Sequence, residues 1–355
     1  MPDIDTRLIA FYLPQFHPIP ENDAWWGTGF TEWRNVVRAR PLFAGHYQPH
    51  LPADLGYCDL RVAETRIAQA ALARRYGIHG FCYYYYWFNG RRLLARPLDE
   101  VHASGEPDFP FCVCWANEPW TRRWDGHDDD ILVAQEYSPD ADRRLFADLA
   151  PLFRDARYIR VEGRPLFVVY RANSLPDPRA FALRFREEAR RARIEDPFLA
   201  CVQLPGMPPP TDWGFDAGVE FPPHGFDVGE VSPPVTFYEP GLSVAVWDYV
   251  QTAKSAIARA VPAFPLFRGV MTGWDNTPRL PKNGHVFVNV HPANYQRWLT
   301  AVVAQTAVRH PPEQRLVFIN AWNEWAEGCH LEPDEAFGHA YLEATQRALA
   351  DGERR

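Results

Sequence analysis

The sequence has 355 residues, 46% of them hydrophobic and 23% charged, a composition typical of a packed globular protein without extensive disorder. Its 37 Lys and Arg against 45 Asp and Glu give a net charge of −8 without any basic block, which argues against a nucleic-acid or anionic-membrane surface. Aromatic residues reach 14%, and 34 prolines indicate many rigid loops.

A chain of this length fits either two average domains or one α/β barrel with long loops. The six cysteines lie mostly inside apolar runs and form no C-x-x-C pair, which predicts buried thiols in a reducing compartment. The N-terminus lacks the features of a signal peptide, and no apolar stretch approaches the roughly 18 residues of a membrane-spanning helix. We therefore expect a cytoplasmic protein without membrane insertion.

The first half of the chain alternates short apolar runs with helical segments. Strands are predicted at residues 7–12, 80–88, 109–115 and 165–170, and helices at 96–104, 139–155 and 178–193. A loop follows the first strand to about Tyr57 and contains a short helix at 29–37. The length of this loop favours a functional role.

The helix after this loop is predicted from its cap and its periodicity. Asp59 stands at the N-cap position, and Gly77 ends the segment. Apolar residues recur at helical spacing and are expected to form the buried face: Leu60, Ala63, Ile67, Ala70 and Ala71.

The second half of the chain continues the alternation. Strands are predicted at residues 198–204, 217–221, 264–270 and 316–320, and helices at 243–260, 292–303 and 336–349. Pro292 suits the first position of its helix. A Pro-rich stretch takes the place of a clear helix between the fifth and sixth strands.

Eight short apolar strands that alternate with helices predict a parallel sheet, because each parallel crossover needs an intervening helix. The predicted fold is a single (β/α)₈ barrel of the TIM type with long βα loops, spanning residues 1–355 as one domain. A doubly wound open sheet is the alternative. It is disfavoured because no G-x-G-x-x-G or P-loop follows any strand.

The eighth predicted strand ends abruptly in polar residues. Glu324 and Glu327 follow it, interleaved with Trp322 and Trp325. If this turn is helical, the two carboxylates share one face, because side chains at i and i+3 are neighbours. Paired carboxylates among tryptophans indicate sugar chemistry, in which one acid protonates the leaving oxygen and the indoles stack on sugar rings. The alternative is a partly solvated turn whose tryptophans fill the core.

Further candidates lie at the carboxyl ends of the other strands, where active sites of such barrels are found. The predicted substrate-binding residues are Tyr12, Gln15, Tyr85, Trp87, Trp115, Asn117, Glu118, Trp120, Arg122, Trp124, Asp275, Trp322 and Asn323. Any one of these could be structural, since a buried Tyr that satisfies its own hydroxyl is common. Glu118 has a specific structural alternative, an ion pair with Arg122 or Arg123.

Metal and cofactor sites are not predicted. The triplet Asp128-Asp-Asp130 is similar to the acidic metal-binding pattern of nucleotide-sugar glycosyltransferases, but a solvated turn explains it more simply. The histidines at positions 17, 46, 50, 224 and 291 show no H-x-x-x-H or H-E-x-x-H spacing. A metal site would have to be assembled from distant segments.

The chain resembles the WbsX-type family, which is placed near glycoside hydrolase family 99 and found in surface-polysaccharide gene clusters. The motifs that carry the resemblance are FYLPQFHP at 11–18, WWGTGFTEW at 25–33, GFCYYYYW at 80–87, CWANEPWTRRWDG at 114–126, DNTP at 275–278 and WNEWAEG at 322–328. They extend over nearly the whole chain. The resemblance implies a (β/α)₈ barrel and an endo-acting, retaining α-glycosidase or a close relative.

In family 99 the N-E-W-x-E-G motif supplies both catalytic carboxylates, which the resemblance carries to Glu324 and Glu327. It implies that Glu324 takes the proton of the sugar's own 2-hydroxyl, giving a 1,2-anhydro intermediate, while Glu327 acts as acid and then as base. We expect Glu327 to have a raised pKa, from the charge of Glu324 and from burial against Trp325. Ala326 stands where family 99 commonly has His.

The expected partner is an oligosaccharide or polysaccharide substrate, with no nucleic acid. Two alternatives to a glycosidase stay open. One is a glycosyltransferase of O-antigen or capsule biosynthesis, and the other is a non-catalytic glycan-binding protein. The sequence does not determine the sugar, the linkage or the oligomeric state.

Overall fold

The centre of the fold is a closed barrel of eight parallel strands. In chain order they are β1 Arg7–Tyr12, β2 Ile78–Phe88, β3 Phe111–Trp115, β4 Arg164–Val169, β5 Phe198–Val202, β6 Ala217–Val219, β7 Leu266–Met271 and β8 Leu316–Asn320. Each strand pairs in parallel with the next, and β8 pairs with β1 to close the barrel. The computed structural model describes residues 6–122, 127–231 and 235–354, without the side chains of residues 122, 127–130 and 230. The predicted (β/α)₈ architecture is confirmed.

The apolar runs form barrel strands because both of their faces are buried. One face points into the barrel and the other faces the surrounding helices, so that β3, β5 and β8 are buried at every position. Gly80 in β2 and Gly269 in β7 lie where a Cβ would approach a backbone carbonyl oxygen to 2.5 Å. Glycine therefore permits close packing at these two points.

The helices are α1 Pro20–Trp26, α2 Trp33–Arg38, α3 Ala63–Arg75, α4 Arg96–Ser104, α5 Pro139–Phe153, α6 Pro178–Ala192, α7 Tyr249–Ala258, α8 Pro292–Arg309 and α9 Ala340–Glu353. Proline stands in the first turn of α1, α4, α5, α6 and α8, where its missing N–H costs no hydrogen bond. Between β5 and β6 there is only the 3₁₀ turn Pro210–Trp213, in agreement with the weak helical pattern there. In the described part of the chain, no helix is long and apolar enough to cross a bilayer.

The N-cap predicted for α3 is wrong. The helix begins at Ala63 after Val62, which provides no side-chain cap. Asp59 instead accepts a hydrogen bond from the backbone N–H of Arg61 and pairs with the guanidinium of the same residue. Its carboxylate is therefore used in the turn before the helix. Gly77 has a φ of 87°, as expected for a residue that ends a helix.

The predicted buried face of α3 is only partly correct: Leu60 and Ala70 are buried, but Ala63 and Ala71 are exposed. Ile67 is 43% exposed. The residues that the helix buries are Arg66, Gln69, Ala70 and Ala73. Gln69 is buried because its side chain accepts a hydrogen bond from the Tyr12 hydroxyl at 2.7 Å and donates one to Glu332 at 2.6 Å. This polar network, which the apolar periodicity does not reveal, orients the helix.

Residues predicted to open a helix at 243 form a strand first. Ala245–Asp248 pairs in parallel with His285–Val288 and in antiparallel with Gly229–Glu230, and α7 begins only afterwards. Asp248 caps that helix by accepting a hydrogen bond from the Gln251 N–H. A short apolar run fits either a helix or a strand, and here the partner strand decides between them.

The remaining short strands belong to the loops. Arg91–Leu93 pairs with the end of β2, Trp120–Arg122 pairs with His127–Val133, and Arg160–Val161 pairs with β4, all in antiparallel. After β8, Asn323–Glu324 pairs in antiparallel with Cys329–His330. The 3₁₀ turns Ala172–Ser174, Pro312–Gln314 and Trp325–Glu327 complete the elements. All six cysteines are buried thiols without a disulfide, as predicted.

Candidate active site

A cavity of about 500 Å³ lies at the carboxyl ends of the barrel strands. Its volume suits a ligand of a few sugar units, since small-molecule pockets measure about 300–1,000 Å³. The residues that line it come from the ends of the strands and the loops that follow them: Leu13, Gln15, Asn22, Trp25, Trp26, Tyr84, Tyr86, Ala116, Glu118, Pro119, Trp120, Thr121, Leu132, Tyr170, Phe221, His224, Arg279, Glu324 and Glu327.

Glu324 and Glu327 reach this cavity from the short segment after β8. The turn between them, Trp325–Glu327, is a 3₁₀ helix, in which side chains three residues apart lie on the same side. Gly328 ends the turn with a φ of 58°, and a Cβ there would lie 3.0 Å from the Cβ of Asp275. The helical turn expected from the spacing is therefore present, and both carboxylates line one cavity.

Arg279 connects three carboxylates at the floor of the cavity. Its Nη2 donates to Glu324 Oε2 at 3.1 Å, and its Nη1 donates to Glu327 Oε1. Its Nε donates to Glu32 Oε2, also at 3.1 Å. The guanidinium is 11% exposed and the Glu32 side chain is fully buried. If all three carboxylates are ionised, this group of four side chains has a net charge of −2.

This arrangement changes the proton affinity of the groups in it. Burial raises the pKa of Glu324 well above its ordinary value, and the charges of Glu327 and Glu32 add to the effect while Arg279 opposes it. Burial by itself would lower the pKa of Arg279, but the three carboxylates raise it well above its usual range. The sequence argument expected the raised pKa at Glu327. That expectation stays a prediction, and the shift described here belongs to Glu324, which is only 4% exposed.

Aromatic rings form the walls of the cavity. Trp120 packs edge-on against Trp25 and Tyr86, with ring centroids 5.8 and 5.1 Å apart. Gln15 donates to the Tyr86 hydroxyl at 3.2 Å. Rings of this type provide flat apolar faces with hydroxyl groups at their edges, which suits pyranose binding.

Several residues predicted from the sequence line this cavity: Gln15, Glu118, Trp120, Glu324 and Glu327. Glu118 forms an ion pair with Arg171 at 2.7 Å, a partner that the sequence analysis did not name. Arg122 lies in the strand Trp120–Arg122, but its side chain is outside the described part of the structure. Arg123 and Trp124 lie outside the described residues. The side chains of Asp128, Asp129 and Asp130 likewise lie outside the described part of the structure.

Five other residues that were predicted to bind substrate point away from the cavity and do not line it: Tyr12, Tyr85, Trp87, Trp115 and Trp322. Successive side chains of a strand face opposite sides of the sheet. On β2, Tyr84 and Tyr86 face the cavity, so Tyr85 and Trp87 face the helices. Trp87 donates to Asp148 of α5 at 2.6 Å, and the Tyr85 ring packs against the guanidinium of Arg92.

The same alternation explains Tyr12 and Trp115, whereas Trp322 lies after the end of β8. Tyr12 donates to Gln69 of α3. Trp115 stacks on Phe181 of α6, with ring centroids 5.8 Å apart. Trp322 donates its indole N–H to Glu332 at 3.0 Å. All three are buried between the barrel and its outer layer.

Three predicted polar residues hold the backbone around the site and do not line the cavity. Asn323 accepts from the Leu13 N–H at 2.7 Å and donates to the Leu13 carbonyl at 3.0 Å. Asn117 forms a similar pair of hydrogen bonds with the backbone of Arg171. Asp275 donates its backbone N–H to the Glu327 carbonyl at 2.6 Å. These residues therefore position the loops that carry the acids.

Sequence reasoning missed Glu32 and Arg279 as members of the site. Both lie in or directly beside motifs that carry the family resemblance, Glu32 in WWGTGFTEW and Arg279 directly after DNTP. That proximity was the available signal. Their contact could not be inferred, because the two residues lie 247 positions apart in the chain.

Glu332 is a buried carboxyl that holds both tryptophans of the motif. It accepts from Trp322 Nε1 at 3.0 Å, from Trp325 Nε1 at 2.6 Å and from Gln69 Nε2 at 2.6 Å. We expect Glu332→Gln to lower the free energy of unfolding by about 1–3 kcal/mol. The amide nitrogen of glutamine cannot accept a hydrogen bond, so at least one buried N–H donor would be left without an acceptor. Chemical denaturation would measure this, with the exposed Glu335→Gln as the control.

The pH dependence provides a second test of Glu332. Burial raises its pKa to about 7, above the value of about 4.3 of an unfolded chain. The folded protein therefore binds this proton more tightly than the unfolded chain does. The gain in the free energy of unfolding is complete below the unfolded pKa of about 4.3 and is lost as the pH rises through about 7. Glu332→Gln should flatten this fall between pH 5 and 8. Parallel stability curves for variant and wild type would contradict the assignment.

Comparison with known proteins identifies similar chains. A model of the family described as Glycosyltransferase WbsX matches residues 8–345. Two curated relatives from strains of Xanthomonas campestris pv. campestris, each named uncharacterized protein WxcX, are 48% identical over 346 residues. The alignment covers 98% of this chain and 50% of each relative, so the chain spans about half the length of the curated relatives it matches.

Solved structures share the fold at low sequence identity. A glycoside hydrolase-like protein aligns with a TM-score of 0.63 and 14% identity, over 98% of this chain and 94% of its own. The GH99 endo-alpha-mannosidase from Bacteroides thetaiotaomicron aligns with a TM-score of 0.56 and 15% identity, over 98% of both chains. These similarities show that the (β/α)₈ barrel is common to the three proteins.

Proposed function

The chain belongs to the WbsX glycosyltransferase family, and from this membership and the geometry of its cavity we propose that it is a glycoside hydrolase-like, carbohydrate-active enzyme. The proposed reaction is the cleavage of an α-glycosidic bond inside a bacterial surface polysaccharide or its biosynthetic intermediate, with retention of configuration. The observation that carries the proposal is the pair Glu324 and Glu327 in one aromatic-walled cavity at the carboxyl end of the barrel.

The two carboxylates suit a mechanism in two steps, each with two proton transfers. Glu324 takes the proton of the substrate's 2-hydroxyl while that oxygen attacks the anomeric carbon, and Glu327 gives a proton to the departing glycosidic oxygen. Glu327 then takes a proton from the water that attacks the same carbon, and Glu324 returns its proton to the 2-oxygen. The hydrogen bond from Arg279 supports the role of Glu324, because the nearby cation favours the ionised form that a base requires, whereas burial by itself favours the protonated form.

The charge around the cavity favours a neutral or cationic sugar. Among the described side chains, Glu32, Glu324 and Glu327 surround the guanidinium of Arg279, and Glu118, which pairs with Arg171, lines the same cavity. An additional carboxylate on the substrate would face like charges in a partly buried site, which is unfavourable. We therefore expect neutral oligosaccharides to be cleaved faster than those with uronic acids at the reacting position.

Defined oligosaccharides with product analysis by mass spectrometry would test the function. The expected result is internal cleavage of at least one neutral α-linked substrate. Its 2-deoxy and 2-O-methyl analogues should be inert, because neither offers a hydroxyl that can attack the anomeric carbon. Rapid turnover of these analogues, with trapping of a glycosyl ester on Glu324, would contradict the anhydro-sugar mechanism but not the two-carboxylate site.

The description of the family favours a second candidate, a glycosyltransferase. Such an enzyme would bind a nucleotide sugar, which calorimetry would detect, and would extend an acceptor glycan in place of cleaving it. A glycan-binding protein without activity is distinguished by a third result, in which Glu324→Gln, Glu327→Gln and the wild type bind sugar equally and none turns it over.

The buried thiols support the predicted reducing, cytoplasmic compartment.

A further inference from the structure

A second cavity of about 140 Å³ lies behind the loop that carries the two acids. His50, His330 and Asp334 line it, and their ligating atoms lie within 4.8 Å of one another. We propose that these three side chains bind one divalent transition-metal ion of the zinc class. This site is separate from the cavity proposed to bind sugar, and it does not rest on the proposed function.

The distances between the three side chains suit binding to a common metal ion. His50 Nδ1 lies 2.8 Å from His330 Nε2, and His330 Nε2 lies 3.9 Å from Asp334 Oδ2. Ligands bound about 2.1 Å from a metal ion lie about 3–3.5 Å from each other. The two imidazole nitrogens form a hydrogen bond at 2.8 Å, so they have to separate by about 0.2–0.7 Å around a metal ion, and the carboxylate has to approach by about 0.5 Å.

The hydrogen bonds around these groups direct His330 Nε2 and Asp334 Oδ2 toward one point, where a metal ion would replace the proton that His50 Nδ1 donates to His330 Nε2. His330 Nδ1 donates to the Glu332 carbonyl at 2.9 Å, which leaves Nε2 as the unprotonated nitrogen that faces His50. A metal-bound histidine commonly donates its other ring N–H to a carbonyl in this way. Asp334 is held by the Phe337 N–H, which donates to Oδ1 at 2.6 Å, so Oδ2 faces the histidines.

The composition of the site selects the class of metal. Two imidazoles with one carboxylate suit Zn²⁺, Co²⁺, Ni²⁺ or Fe²⁺, whereas Mg²⁺ and Ca²⁺ prefer sites of oxygen atoms alone. The neighbouring His46 is not a ligand, because its Nδ1 accepts from the Leu42 N–H and its Nε2 donates to Asp275. The remaining coordination positions would be taken by water.

A metal ion here would connect the loop after β1 to the segment that carries Glu324. The ring of His330 stacks on that of Trp325 at 3.8 Å with an interplanar angle of 15°. Cys329–His330 also pairs with Asn323–Glu324. The ion would therefore position and stabilise the segment without contacting the reacting atoms. Spacing along the sequence could not reveal the site, because His50 and His330 are 280 positions apart.

The test is titration of Zn²⁺ or Co²⁺ into the metal-stripped full chain, followed by calorimetry and, for Co²⁺, by visible absorption. We expect about one equivalent to bind and the melting temperature to rise. His50→Gln and Asp334→Asn should each weaken binding at least about tenfold, since loss of ligation has effects of this size or larger. The control is His102→Gln, whose histidine pairs with Asp155 elsewhere on the chain.

The proposal is overturned if the wild type binds no stoichiometric metal, or if both His50→Gln and Asp334→Asn bind as tightly as the wild type and the control. X-ray absorption of the wild-type cobalt complex tests the site even if a variant fails to fold. Two imidazole nitrogens in the coordination shell are expected, and fewer than two would also overturn the proposal.

Discussion

Glu324→Gln and Glu327→Gln are each expected to lower kcat by about 10³-fold or more, since positioned acid and base groups contribute about 10²–10⁴-fold. The two substitutions preserve size and hydrogen bonding but remove the proton transfer. Loss of the acid should matter most for substrates with poor leaving groups, because an activated aryl glycoside departs without protonation. Loss of the base should affect every substrate alike.

Kinetics on a natural-type substrate and on an aryl glycoside would separate the two roles. The aryl substrate should recover much of the activity lost in Glu327→Gln and little of that lost in Glu324→Gln. Glu187→Gln, on the exposed surface of α6, is the matched control and should retain wild-type rates. Recovery in Glu324→Gln alone would reverse the assignment of the two roles, and full activity in both variants would remove them from the mechanism.

Arg279→Met is expected to lower the free energy of unfolding by about 3–5 kcal/mol, because it leaves buried carboxylates without their cation. Glu32, Glu324 and Glu327 all contact this guanidinium. The free energy of unfolding of Arg279→Lys should lie between those of Arg279→Met and the wild type. Lysine keeps the positive charge, but its ammonium group cannot bind three carboxylates in the fork geometry of arginine. Activity should fall in both variants, because Glu324 and Glu327 lose the group that holds them in place.

The effect of Arg279→Met should depend on pH with a defined sign. Without the cation, burial and mutual repulsion hold the pKa of Glu324 above its unfolded value, so the folded state favours the protonated form. The stability of the variant should therefore be closest to that of the wild type near pH 5 and fall further behind as the pH rises to 8. Denaturation at both pH values would measure this.

Arg171→Met is the matched control for this prediction. Arg171 pairs with Glu118 in the same region, but that carboxylate is 44% exposed. The loss of such an exposed pair should cost less than about 1 kcal/mol and should vary little with pH. Equal losses in Arg171→Met and Arg279→Met would contradict the view that burial of the three carboxylates makes the difference.

The correction on β2 is a shift of one position along the strand. On β2 the candidates Tyr85 and Trp87 were one position away from the residues that line the cavity, Tyr84 and Tyr86. A run of six aromatic residues from Tyr83 to Phe88 has no polar alternation from which the inner face could be read. The face became evident only when partner strands and helices were in place.

What the sequence by itself determined is the set of eight barrel strands and the position of the two acids after the last of them. Each barrel strand is a short apolar run, because both of its faces are buried, and such runs can be recognised one at a time. Glu324 and Glu327 could be found in the same way, since a strand that ends in two acids and two tryptophans is a local pattern.

Only the tertiary structure decided which side chains meet. Arg279 comes from the loop after β7 and Glu32 from the loop after β1, and their contact with the two acids joins segments far apart in the chain. The same holds for Gln69 beneath Glu332 and for His50 beside His330. Periodicity reflects interactions between near neighbours, whereas contacts between distant polar groups depend on closure of the barrel, which brings the loops to one rim.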